Sequence, residues 1–179
     1  MITYEFLTTL DAKPVIKMGY VEKVLDSAVE YFFKDVSVNG IYKIYVNFVE
    51  EFDYDRPNYR TRGHVKFNKF VTGQYALVEI RSDLTWDVFC RVVFHEFAHI
   101  KQNMENRLIF SDIPGTIIWE GLLMKKTAPV DCFSSYQELP WEKEARSFEE
   151  VGKKVVLKSL GLLGYWKLQF DIMMGTLYG

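Results

Sequence analysis

Apolar positions recur along the chain with a period that changes several times, and each change marks an element. In "GYVEKVLDSAVEYFFKDV" (19–36), Val21, Leu25, Ala28, Val29, Phe32 and Phe33 fall at helical spacing, which predicts a helix. Asn39–Gly40 reads as the turn that ends it. "IYKIYVNFVE" (41–50), rich in β-branched and aromatic residues, predicts a strand. The polar stretch 51–64, with Pro57 and Gly63, reads as a surface loop. "HVKFNKF" and "QYALVEIRS" then predict two strands joined by a turn at Thr72–Gly73.

A long helical period follows from Thr85 to Leu108, with Ser82, Asp83 and Thr85 offering N-cap chemistry. "IPGTIIWEGLLMKK" reads as a short strand or hairpin arm after Pro114–Gly115, and 128–140 as loop. Pro140 suits the first turn of a second long helix, over 140–160, which Gly161 would end. The apolar tail 162–179 is expected either to dock on the core or to meet a protein partner. The order of helix, strands, long helix, hairpin and helix is an α+β pattern, expected as one domain over 1–179.

Composition narrows the class. Apolar residues at 49% and aromatics at 16% are enough for a real core. A net charge of −2 with no dense Lys/Arg run gives no support for a nucleic-acid or membrane-surface partner. Cys90 and Cys132 form no metal-binding pair and read as reduced thiols. A thiolate switch at Cys132 has only its loop position behind it. The N-terminus lacks the basic start and apolar run of a signal peptide, and no apolar run is long enough to span a bilayer. These features imply a soluble protein of the cytoplasm, or of the host cell cytoplasm if the source is viral.

The candidate chemistry sits in "VVFHEFAHIKQ" (92–102). His95 and His99, four residues apart on a helix, point nearly the same way, about 40° apart. Two imidazoles one turn apart can reach one ion, and Glu96 projects beside it, where a base is needed to take a proton from water. Trp86, Cys90, Val93, Phe97, Ile100 and Met104 form one side of this helix, with the histidines about 140–180° away. Val88, Val92, Phe94 and Ala98 make it apolar over most of its circumference, as suits a central helix. The alternative is a histidine pair with no ligand role. A catalytic zinc needs a third protein ligand. Positions 102 and 105 are Gln102 and Glu105, so a third histidine downstream is absent. That leaves a carboxylate, best supplied by "LPWEKEARSFEE", or His64.

"HEFAH" followed by "EKEAR" resembles the gluzincin metallopeptidases, whose HExxH helix is followed by a helix carrying E-x-x-[AS]-[DN]. A looser pattern, HExxHxxQ, then W-x-G, then Y-x-x-x-P-x-E-x-E-A, is similar to small zincin-like phage and bacterial proteins, the ImmA/IrrE type among the clan. The resemblance spans roughly residues 74–150. It implies a zincin-like fold, a small mixed or antiparallel sheet packed on the HExxH helix, with the third ligand on a second helix. Placing Ala145 on the family's small residue puts Glu142 on the ligand position, with Glu144 as runner-up and Glu149 and Glu150 solvated. The small residue lets the two helices approach. The family's Asp/Asn is Arg146 here, so the group that orients a ligand histidine must come from elsewhere, or Arg146 has another role, such as holding a substrate carboxylate or oxyanion.

The resemblance thus implies Zn²⁺ held by His95, His99 and Glu142, with Glu96 as base in peptide-bond hydrolysis. The alternative it leaves is a non-catalytic regulatory or virion protein with a structural metal, or a sensor acting on one repressor. The strand "YALVEIRS" (75–82) occupies the place of the clan's substrate-binding edge strand, or is an ordinary strand. Tyr136 and His64 are weaker candidates for substrate or oxyanion contacts, each set against a packing role, and Trp119 reads as core rather than substrate platform.

Overall fold

The computed structural model describes residues 1–7, 12–37, 42–52, 61–70, 73–110, 116–125 and 136–178, with the side chains of 68–70, 73, 74 and 125 left aside. The Asn39–Gly40 turn, most of the 51–64 loop, Thr72, Pro114–Gly115 and Cys132 lie outside these residues.

The chain is α+β. Strands β1 (Ile2–Phe6), β2 (Tyr42–Val49), β3 (Gly63–Phe70) and β4 (Gly73–Arg81) form one sheet in the order β1-β2-β4-β3. β1, β2 and β4 run parallel, and β3 lies antiparallel on the outside of β4. Alternation decides the faces. Ile44, Val46 and Phe48 of β2, Val65 of β3, and Ala76, Val78 and Ile80 of β4 all point into one core. That core holds helices α1 (Met18–Phe33) and α2 (Trp86–Met104). Lys43, Tyr45 and Glu79 line the opposite, half-covered face.

Two sequence expectations change here. The N-terminal segment, assigned no element, is strand β1: five residues are too few for a period to show. Strand β4, offered as a substrate-binding edge, is an inner strand with both ladder sides taken by β2 and β3. The outer strand beside α2 is β3.

Helix α2 stops at Met104 rather than running to Leu108. Asn106 takes the left-handed conformation (φ 57°), and the Asn103 side chain donates to the Leu108 carbonyl at 2.8 Å. The chain then enters a second sheet of β5 (Leu108–Phe110), β6 (Thr116–Trp119) and β7 (Leu122–Lys125), all antiparallel. Glu120 and Gly121, both at positive φ, form the tight β6–β7 turn. Trp119, Leu108 and Ile117 pack with Trp141 into a small second core.

The helix expected over 140–160 is two helices, α3 (Pro140–Ser147) and α4 (Glu149–Met173). They part at Phe148, whose ring packs edge-on against Phe32 at 5.1 Å. Gly161 (φ 66°, ψ −179°) is non-helical and closes the first part of α4, as expected, and a second helical part follows it across a kink. The tail docks through Leu168 and Leu177, both in the main core, and through Asp171, which accepts from Tyr20 at 2.6 Å. Among the described residues no helix is long and apolar enough to cross a membrane.

Candidate metal centre

Helix α2 is buried on nearly all sides, so His95, Glu96 and His99 project into protein rather than solvent. Opposite them, Pro140 starts α3 and Trp141 locks its first turn into the second core. Ala145 is fully buried between the helices, and its small side chain allows the approach. Glu142, one residue after Trp141, is thereby aimed at both imidazoles.

The resulting distances are short. His95 Nε2 and His99 Nε2 lie 3.2 Å apart. Glu142 Oε2 is 3.3 Å from His95 Nε2, and Oε1 is 3.4 Å from His99 Nε2. A tetrahedral ion with bonds of about 2.0–2.1 Å separates its ligand atoms by roughly 3.3 Å. Two neutral nitrogens and one carboxylate at these separations fit such an ion. Among the described residues this is the group of three whose ligand atoms lie within 4.8 Å of one another.

The outer nitrogens are also engaged. Gln102 donates through Nε2 to the Trp141 carbonyl at 3.1 Å, which fixes its amide orientation. Its Oε1 then accepts from His99 Nδ1 at 2.8 Å. Glu149 Oε1 accepts from His95 Nδ1 at 3.1 Å. Both rings therefore hold a proton on Nδ1 and turn Nε2 toward Glu142, so that with Nε2 bare each is in the tautomer a metal ligand needs. Glu149 reaches His95 because α4 sinks close to α2. A Cβ on Gly152 would lie 2.3 Å from the Phe94 ring, so only glycine permits this crossing.

Charge follows from the packing. Burial opposes a charge on His95, but the hydrogen bonds it donates to Glu142 and Glu149 outweigh it and push its pKa up to about 10. Burial also works against a charge on Glu142, yet the two histidines overcome it and hold its carboxyl well below the usual range. Tyr136 donates to Glu142 Oε1 at 2.5 Å, so its hydroxyl stands beside the cluster.

Glu96 is buried next to His95, and burial raises its pKa. Gly63, at the start of β3, lies against it: a Cβ there would be 2.4 Å from Val92 Cγ1 and 3.0 Å from Glu96 Oε1. The outer strand thus passes directly over the candidate base.

Other candidates fall elsewhere. Glu144 faces the hairpin in a two-pronged pair with Arg107 at 2.6 and 2.8 Å, and Arg107 in turn covers the Trp119 ring. His64 is not in a loop but in β3, opposite Glu79. Gly63 and Val65 face α2, so alternation turns His64 to the far side of the sheet, away from the donors. Arg146 is half-buried in the last turn of α3, one turn beyond Glu142. Trp119 packs on Trp141 as core. Glu149 was expected to be solvated and Gln102 carried no role. Only the three-residue step from His99 hinted at Gln102, and no sequence signal marked Glu149.

No protein-family model matches this chain, and neither the curated proteins nor the solved structures contain a match to it.

Proposed function

We propose that the chain is a zinc-dependent metallopeptidase of the gluzincin type with a zincin-like fold. The observation that carries this reading is the meeting of His95, His99 and Glu142 at tetrahedral-edge separations with Glu96 alongside. The antiparallel outer strand β3 laid across the HExxH helix supports it too.

His95, His99 and Glu142 would hold the ion. Zinc, when bound, supplies a Lewis acid that polarises the scissile carbonyl and acidifies a neighbouring water. Gln102 and Glu149 keep both imidazoles in the ligand tautomer. Glu96 takes a proton from the attacking water as its oxygen bonds to the carbonyl carbon. It then gives that proton to the amine nitrogen as the C–N bond breaks. A carboxyl whose proton affinity is raised by burial suits both steps. Tyr136 and Arg146 are the candidates to face the developing oxyanion. The peptide would add to β3 rather than to β4.

Metal content and cleavage of a peptide library test this reading, with Glu96→Gln as the probe. Bound zinc in both proteins and hydrolysis only in the parent is the expected result. Hydrolysis retained in Glu96→Gln rules the mechanism out. A second reading draws on the burial of Glu96, His99 and Glu142, since closed sites are a mark of structural zinc. In that case the chain is a regulatory or virion component, and it binds zinc but cleaves no peptide.

A further inference from the structure

The last three turns of α4 carry an apolar stripe that no described part of the chain covers. Leu168 is fully buried on the core side. Roughly 120–220° around the helix from it lie Leu162, Leu163, Trp166, Phe170 and Met173. They are exposed by 73%, 87%, 62%, 56% and 73% respectively. Gln169 and Lys167 border the stripe. Side chains of this size at these exposures present roughly 700 Å², more than a monomer usually leaves open and close to one partner's share of a standard interface.

The spacing points to a helical occupant. Leu163, Trp166, Phe170 and Met173 are separated by three, four and three residues, the step of a two-helix seam. The stripe also complements itself. Residue 168 is the midpoint of both 163/173 and 166/170. An antiparallel pair about a two-fold axis there sets Leu163 against Met173 of the second copy and Trp166 against Phe170 of the second copy. A lipid surface fits less well. Helices that lie on anionic membranes carry a Lys/Arg-rich polar face, and residues 162–173 contain one lysine and one aspartate.

We propose that this stripe is the interface of a homodimer, formed by the antiparallel pairing of the last three turns of α4. The proposal stands apart from the metal reading.

Sedimentation velocity of the full chain up to about 100 μM tests it. The expected mass is twice 21.1 kDa. The double variant Leu163→Glu/Trp166→Glu should weaken the dimer by about 100-fold or more with its circular dichroism unchanged. Both side chains are exposed in one copy, so its fold does not need them. Should that variant fail to fold, Leu163→Cys/Met173→Cys gives a second test: disulfide-linked dimers are expected above the level of the parent and of either single variant. A single-chain mass at the highest concentration overturns the proposal. So does a dimer indifferent to the double variant, or cysteines that do not cross-link. A monomer that floats with phosphatidylcholine–phosphatidylglycerol vesicles overturns it in favour of lipid.

Discussion

The two ends of α4 break the usual sorting of side chains in opposite ways. Its first turn brings a carboxylate, Glu149, to a buried cluster of histidines and acids. Its last turns hold leucine, tryptophan, phenylalanine and methionine out in solvent. Burying charge is costly unless the groups find partners, and the three candidate ligands do: each imidazole nitrogen and the Glu142 carboxylate is met by another polar atom. The exposed stripe has no such answer within the described chain. One departure is compensated internally and the other calls for something outside, so the first should respond to ions and protons and the second to concentration.

The sharpest way to break the contrast is at the cluster's carboxylates. Glu96→Gln should lower hydrolysis by about 10²–10⁴-fold, in steady-state kinetics, while zinc stoichiometry stays unchanged. Glu142→Gln should abolish tight zinc binding. Glu144→Gln, which breaks only the pair with Arg107, should leave zinc binding intact. Equal losses in these two would remove the distinction between ligand and neighbour.

Acidity gives the next effect. The His95 proton must leave for Nε2 to bind an ion, so zinc affinity should rise about tenfold per pH unit from near neutrality up to about 10. In chelator-stripped protein the sign is reversed for stability. A raised folded pKa adds stability that is full below the ordinary histidine value of 6.5 and is lost as the pH climbs through about 10. Competition titrations and melting curves at several pH values measure both. An affinity that is flat over this range would contradict the assignment.

Gln102→Leu should weaken zinc binding by about 10–100-fold, because His99 loses its acceptor and the Trp141 carbonyl its donor. Isothermal titration reads this directly. The smallest effect is expected at the other end: Leu163→Glu should change the stability of a single copy by no more than about 0.5 kcal/mol in urea melts at low concentration.

How much of this was legible in the sequence follows the range of the forces involved. Helix α1, strands β2 to β4 and the start of α2 were readable because residues within a few positions of one another set them. The parting of α3 from α4 was not, since neither glycine nor proline marks it. The contact of Phe148 with Phe32, more than a hundred residues away, accompanies it. The site divides the same way. His95, Glu96 and His99 share one helix, so their spacing alone aligned them. Glu142 was reached through resemblance to a two-helix pattern. Gln102 and Glu149 escaped because their roles depend on how closely separate helices approach, and nothing local reports that.

Gly152 shows how little material such an approach can turn on. Its backbone needs no special angle; what counts is the missing methyl group against Phe94. One absent carbon lets a whole helix settle deeper, and three residues earlier an acid comes within reach of an imidazole. Here empty volume at one point acts as a lever on proton position at another.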